Sequence, residues 1–314
     1  MNKPLIGIST CLLGENVRYD GGHRLDRFLK DILGQYVDYV PVCPEVECGL
    51  GIPREAVRLM ETDGRIRLVT QKTGIDMTER MEKWMAGRLQ ELGRMHLCGF
   101  IFKAGSPSSG LKRIKVYTGK GVRHDGTGIF AGGFTRMFPH IPVEEDGRLH
   151  DATLRENFIE RIFVMQRWHA LIADEKSLGR LMNFHEHHKY LLMAHCPKTL
   201  KTLGALIAAG KKQSMTDLYG TYLDQFLTAI QKIATPRKNT NVLQHIMGYF
   251  KKDLAPDEKA ELLENIERYH AGYMPLIVPV TLLNHYVRKY RPRYLQDQVY
   301  LNPHPMELML RNHV

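Results

Sequence analysis

Cysteine is scarce in this chain: five residues, Cys11, Cys43, Cys48, Cys98 and Cys196, in 314. An odd, scattered set of that size excludes a secreted disulfide framework, which needs paired cysteines at dense spacing. No stretch approaches the ~20 consecutive apolar residues of a membrane span. The start "MNKPLIGIST" carries no apolar signal-peptide core, and there is no internal repeat or low-complexity segment. These absences point to a reduced, cytoplasmic protein, a compartment in which cysteines near one strand end serve metal or catalysis more often than crosslinking.

Positive charge, by contrast, is in surplus, with a formal net charge of +10. Residues 1–150 carry 22 Lys and Arg against 18 Asp and Glu, and residues 151–314 carry 22 against 16, together with ten of the fifteen histidines. A basic surplus spread over a domain attracts polyanions without specifying which, so nucleic acid is the partner class it favours.

Hydrophobic periodicity separates the same two halves. "LIGIST", "VDYVPV", "CGFIFK" and "IKVY" read as strands, and "RLDRFLKDILGQ" and "DMTERMEKWMAGRLQELGR" between them read as helices. Alternating strands and helices predict an α/β domain over residues 1–150 with a Rossmann-like parallel sheet. From about Asp151 the strands give way to helical patterns such as "LRENFIERIFVMQRWHALIAD" and "NVLQHIMGYFKKDL", which predict an all-α domain over 151–314. The proline-bearing "FPHIPVEEDGRLHD" is the expected joint.

Open α/β sheets place their sites at the carboxyl ends of the strands. Cys11 follows "LIGIST", Cys43 ends "VDYVPV" and Cys48 lies in the loop beyond, so all three are expected at one edge. Cys98 precedes "GFIF" at the opposite end of its strand and reads, like Cys196, as a small buried hydrophobe. Three converging cysteines fit a metal site with an open position or a reactive cysteine with neighbours. The loop "KAGSPSSG" reaches the same edge with Ser106, Ser108 and Ser109, and reads equally as a ligand-approach loop or a helix-capping turn.

Together and in order, "STCLLGENVRYDGGHR", "PVCPEVECGLGIPREAVRL", "LVTQKTGIDMTE", "FIFKAGSPSSGLKRIKVY" and "GTGIFA" resemble the thiouracil desulfidase (TudS) family. The helical half, with "FHEHHKYLLMAHCPK" and "TPRKNTNVLQHIMGYFKK", resembles the YbgA-like domain fused to it in tRNA 4-thiouridine desulfidases. The resemblance implies an enzyme with a 4Fe-4S cluster held by three cysteines, its fourth iron open to a thiocarbonyl sulfur, removing sulfur from 4-thiouridine in tRNA or from thiolated uracil nucleotides without net redox. Where the commoner family pattern has a ligand cysteine, this chain has Ser109. Cys11, Cys43 and Cys48 are therefore the expected ligands, with Cys98 in reserve. Glu45 and Ser106 are the expected proton-handling groups, and Arg18, Asp20, Ser108 and Ser109 the expected substrate contacts. On the helical half, Lys189, Arg237, Lys238, Lys251, Lys252, Arg288 and Lys289 are the expected RNA contacts, with "HEHHKYLLMAH" as part of a basic helix face. A zinc-holding, non-catalytic RNA-binding protein is the alternative, distinguished by metal content.

Overall fold

The computed structural model describes residues 3–313. The chain divides between Asp151 and Ala152 into two compact units.

In the first unit, β1 (Leu5–Ser9), β2 (Asp38–Val42), α1 (Pro44–Glu47), β3 (Val57–Thr62), β4 (Arg65–Thr70), α2 (Thr78–Gly93), β5 (Gly99–Phe102), β6 (Ile114–Thr118), β7 (Gly121–Gly126), α3 (Ile129–Met137) and β8 (Val143–Glu145) follow one another. They form two four-stranded sheets. The first, in the order β2-β1-β5-β8, is wholly parallel. Gly99–Phe102 is buried throughout, as a central strand covered on both faces must be. Phe100 and Phe102 of β5 and Phe130 and Phe134 of α3 fill this sheet's core, the first two rings stacked 4.1 Å apart.

The second sheet, β4-β3-β6-β7, is mixed and was not expected from the strand–helix alternation. Its first hairpin closes through a two-residue loop, with Thr62 opposite Arg65. Asp63 and Gly64 there both have positive φ, at 52° and 71°. That is the geometry Asp-Gly favours, because glycine takes the left-handed region without steric cost. Leu59, Leu68, Ile114 and Val116 form this sheet's own core, and Trp84 of α2 packs against both cores.

The predicted helix over "RLDRFLKDILGQ" is replaced by two short turns, a π-type turn over Phe28–Ile32 and a 3-10 turn over Leu33–Gln35. The Tyr39 hydroxyl donates to the Leu29 carbonyl, which also accepts from Leu33 N–H and is thus shared between two donors where the regular helix stops.

The second unit is helical: α4 (Ala152–Ile172), α5 (Leu178–His187), α6 (Lys189–His195), α7 (Pro197–Ala208), α8 (Met215–Ile230), α9 (Pro236–Met247), α10 (Pro256–His270), α11 (Ile277–Tyr290) and α12 (Arg293–Gln296). Proline opens α7, α9 and α10, where its missing N–H costs nothing. Ser177, Ser214 and Thr235 cap α5, α8 and α9 with their hydroxyls. α4 is apolar on more than one face, burying Phe158, Ile159, Ile162, Phe163, Val164, Met165 and Trp168, as a helix enclosed within its own domain does.

Candidate active site

The carboxyl edge of the parallel sheet carries the chemistry. β1 ends at Ser9 and turns through Thr10 and Cys11; β2 ends at Val42 and delivers Cys43 and then Glu45 on α1; β5 ends at Phe102 and leads to Lys103 and the serine loop. The three ends are tied together. Lys103 N–H donates to Ser9 Oγ over 2.9 Å, while Asp146 beyond β8 accepts from Lys103 Nζ and Ala104 N–H, each over 2.7 Å. Above this edge lies a cavity of about 1100 Å³.

Glu45 is fixed from both sides. Its Oε2 accepts from Arg54 Nε and a second Arg54 nitrogen at 3.0 and 2.6 Å, and its Oε1 accepts from Ser108 Oγ at 2.9 Å. Ser106 Oγ lies 3.0 Å from Ser108 Oγ. Because Ser108 spends its proton on Glu45, the Ser106 hydroxyl donates to Ser108, giving a directed chain Ser106–Ser108–Glu45. Ser106 Oγ in turn accepts the N–H groups of Ser108 and Ser109. The loop is clamped by the start of α3, whose Phe130 and Ala131 N–H groups donate to the Ser108 carbonyl. Gly128 makes this approach possible: a Cβ there would stand 2.6 Å from the Ser108 carbonyl carbon and oxygen.

The cysteines separate into two environments. Cys11 and Cys43 line the cavity, and so does Ser109. Burial pushes the Cys11 thiol up to about 11, aided by neighbouring Cys43 and opposed by Lys103 and Arg18. Burial raises Cys43 as well, with Glu45 adding to the effect. Cys48 packs against Val57, Leu59, Leu68 and Met81 of the second sheet's core, yet remains close enough to Cys43, Glu45 and Arg54 for their charges to act on its thiol, which burial raises. Its Sγ lies 3.4 Å from the Glu45 carbonyl. Cys43 and Cys48 flank the single turn of α1, the first at its start and the second at its end. Among the described residues no group of three Cys, His, Asp or Glu side chains is already drawn together as for a metal ion. Cys98 is buried at the far end of β5, its thiol raised to about 11 by burial.

Arg18 lines the cavity, whereas Asp20 does not. The Asp20 carboxylate closes a local turn, accepting from Gly22 N–H over 3.1 Å, and that bond holds its pKa below the ordinary value.

The second unit contradicts the reading of its histidines as a basic surface. His188 and His195 are buried. Nδ1 of His188 is bonded to the Phe184 carbonyl, and His195 Nε2 lies 2.7 Å from Glu160 Oε1, a carboxylate that also faces Arg311. His185 pairs with the Tyr222 hydroxyl. Two of the expected RNA contacts are engaged within the fold, Lys238 Nζ on the His195 carbonyl and Lys289 Nζ on Glu258. Lys189 lies over the rings of Tyr190 and Tyr294. Arg237, Lys251, Lys252 and Arg288 are exposed. Arg54, which anchors Glu45, was missed by sequence reasoning; its place nine residues after Glu45 beyond a turn of glycines and proline gave no periodic signal.

Comparison with known proteins adds the family. A family model described as 2-thiouracil desulfurase matches residues 6–146, and one for a protein family of unknown function, DUF1722, matches residues 189–305. The uncharacterised protein YbgA of Escherichia coli (strain K12) is 30% identical over 166 residues, covering 52% of this chain and 95% of YbgA. The chain belongs to the YbgA-like family. The uncharacterised protein YbbK of Bacillus subtilis (strain 168) is 29% identical over 133 residues, covering 40% of this chain and 87% of YbbK. A solved structure of the [4Fe-4S]-dependent thiouracil desulfidase TudS matches with 29% identity and a TM-score of 0.39, over 48% of this chain and 95% of that one. The cysteine and serine edge lies within the residues that the 2-thiouracil desulfurase model matches, and the DUF1722 match falls within the helical unit. No helix among the described residues is long and apolar enough to cross a membrane.

Proposed function

We propose that the protein removes the sulfur of 4-thiouridine in tRNA, and of thiolated uracil nucleotides, by hydrolysis: the thiocarbonyl and water give the carbonyl and hydrogen sulfide, with no net electron transfer. The observation that carries this reading is the directed chain Ser106–Ser108–Glu45, anchored by Arg54, on the wall of a cavity that also presents the Cys11 and Cys43 thiols.

The donors on that wall suit an iron-sulfur cluster in kind. Two soft thiols face the cavity beside Lys103 and Arg18, whose charge favours thiolates, and the Cys48 thiol lies near Cys43. Cys11, Cys43 and Cys48 are the residues that would hold a 4Fe-4S cluster. Bound there, the cluster would supply a soft Lewis acid for the thiocarbonyl sulfur. Because burial keeps the three thiols protonated at neutral pH, loading would release their protons.

The chain's own residues handle the water and its protons. Glu45 Oε1 is the general base for the attacking water, while Arg54 fixes the carboxylate through Oε2. Ser108 and Ser106 pass a proton along their hydroxyls toward the departing sulfur or away from the site. Arg18 and the serine loop bound the space for the base.

The exposed Arg237, Lys251, Lys252 and Arg288 of the helical unit are the candidates for tRNA phosphates. The test is purification under anaerobic conditions. Brown protein carrying iron and acid-labile sulfide, converting 4-thiouridine to uridine with release of sulfide, is the expected result. Colourless protein with stoichiometric zinc, or iron-loaded protein inert on every thiolated uridine, would overturn it.

A further inference from the structure

The helical unit holds a cavity of its own, of about 330 Å³, walled by residues of α4, α6, α9 and α10 and of the C-terminal segment. That volume is far more than a single buried water needs and falls at the lower end of the range for small-molecule pockets. Part of the wall is apolar, from Leu191, Ala194, Met274 and Leu276. The ionised side chains around it are spent on one another. Glu160 lies 2.7 Å from His195 Nε2 through one oxygen and faces Arg311 with the other, while the two Glu156 oxygens face Arg311 Nε and His313 Nε2. Arg311 also donates to the Tyr300 carbonyl, and His195 Nδ1 is bonded to the Lys232 carbonyl. Each carboxylate therefore has its cation, and a charged ligand would enter without a counter-charge to meet it.

Two neutral groups are left over. The Tyr300 hydroxyl donates to Asn239 Oδ1 over 3.1 Å, and Asn239 Nδ2 donates to the Tyr269 hydroxyl oxygen over 3.0 Å. With Asn239 fixed at both ends of its amide, Tyr269 receives a hydrogen bond and keeps its own proton to give. Among the described residues no acceptor takes that proton. Asn157 donates through Nδ2 to the Ile230 carbonyl over 2.9 Å, which leaves its Oδ1 as an acceptor without a donor among the described residues. Both side chains line the cavity, and both are nine-tenths buried, Tyr269 at 8% exposure and Asn157 at 9%. A buried donor and a buried acceptor without partners are costly to keep, so a group that supplies both is stabilised there.

We infer that this cavity is a binding site for a compact neutral amide of the lactam type. The ligand's carbonyl accepts from the Tyr269 hydroxyl, its N–H donates to Asn157 Oδ1, and its apolar ring lies against Leu191, Ala194, Met274 and Leu276. All of the lining residues belong to the second unit, so the site stands apart from the cysteine edge and from the desulfidase reading.

Calorimetry on the full-length protein tests the site with δ-valerolactam and with its N-methyl derivative, which keeps the carbonyl and the ring but lacks the N–H. The expected result is saturable binding of δ-valerolactam with a Kd of about 1 mM, in keeping with so few atoms, and binding of the N-methyl derivative about fivefold weaker or more. Tyr269→Phe should weaken both lactams by a similar factor and leave the ratio between them unchanged, whereas Asn157→Leu should abolish that ratio. Ser108→Ala, in the cavity of the other unit, should change neither. Equal binding of the two lactams by the parent protein, no binding up to about 10 mM, or binding unmoved by Tyr269→Phe overturns the inference. So does a crystal soaked in δ-valerolactam that shows only ordered water on Tyr269 and Asn157. The parent's discrimination between the two lactams decides the matter even where Asn157→Leu fails to fold. Intact discrimination in an iron-loaded protein that desulfurises nothing would sink the desulfidase reading alone.

Discussion

Ser108 Oγ donates to Glu45 Oε1 over 2.9 Å while Arg54 occupies the other carboxylate oxygen, so Glu45 has one oxygen for anchorage and one for protons. Glu45→Gln keeps the shape but removes the basic oxygen. Its turnover of 4-thiouridine monophosphate should fall by about 10²–10⁴-fold at unchanged iron content, measured in a single-turnover assay. Ser108→Ala should lower it less, because Arg54 still holds the carboxylate. Full activity in Glu45→Gln would remove it from the proton path.

The cysteine set carries a second expectation. Cys11→Ala, Cys43→Ala and Cys48→Ala should each lose iron and acid-labile sulfide, whereas Cys98→Ala and Cys196→Ala should retain both. Full iron content in Cys48→Ala would remove it from the ligand set and leave it a residue of the second sheet's core.

Gly128 offers a test of the serine loop that touches no reacting group. Ala at this position places its Cβ against the Ser108 carbonyl and the Ser109 nitrogen, forcing the loop off α3. The expected outcome is at least a tenfold loss of kcat with normal iron content. A variant as active as the parent would show that the loop's position does not govern the chemistry.

Acid should loosen the helical unit before the α/β one. Burial holds His188 down to about 3, and burial with Arg311 nearby holds His304 down to about 4. An unfolded chain protonates both near 6.5, so the stability they support is complete above that value and drains away as pH falls toward 4. Although burial pushes Glu160 up, His195 and Arg311 hold it down to about 2, and its contribution is lost in turn between about 4.5 and 2. His195 acts oppositely: Glu160 raises it against the effect of burial, so its contribution is present below 6.5 and declines as pH rises through the raised value. The urea midpoint for loss of helical circular dichroism should therefore fall steadily from pH 6.5 to 4. A flat profile over that range would contradict the buried neutral histidines.

Charge reversal at Lys251 and Lys252 should weaken tRNA binding and flatten its dependence on salt, because each lost phosphate contact releases one counterion fewer. Reversal at Lys289 should do less, since that side chain is paired with Glu258. Filter binding over a salt series distinguishes the two, and equal effects would place Lys289 on the RNA.

Much of this arrangement was legible in the chain itself. The strands "LIGIST", "VDYVPV" and "GFIF" form the parallel sheet, and the strand-end rule brought Cys11, Cys43, Glu45 and the serine loop to one edge. It says less about Cys48, because spacing along a sequence does not say which way a one-turn helix will point the residue after it. The second sheet was missed although "TDGR" carries a hairpin signal, since charged Arg58, Arg65 and Arg67 interrupt the apolar pattern of β3 and β4. Those charges are tolerated because one face of that sheet borders the cavity and solvent. The histidines of the helical unit misled for the converse reason: a buried His195 satisfied by Glu160 and a surface histidine have the same letter, and the partner lies 35 residues away.

Trp84 sits between the two cores of the α/β unit, packed against both. The chain's other tryptophan, Trp168, is buried in the helical unit among Phe184, Tyr219 and Tyr222. Each unit therefore carries one intrinsic fluorophore. Trp168→Phe would leave an emission that reports any sliding of the cysteine-bearing sheet against the arginine-bearing one when a nucleotide enters, and Trp84→Phe would leave one that reports the helical unit alone.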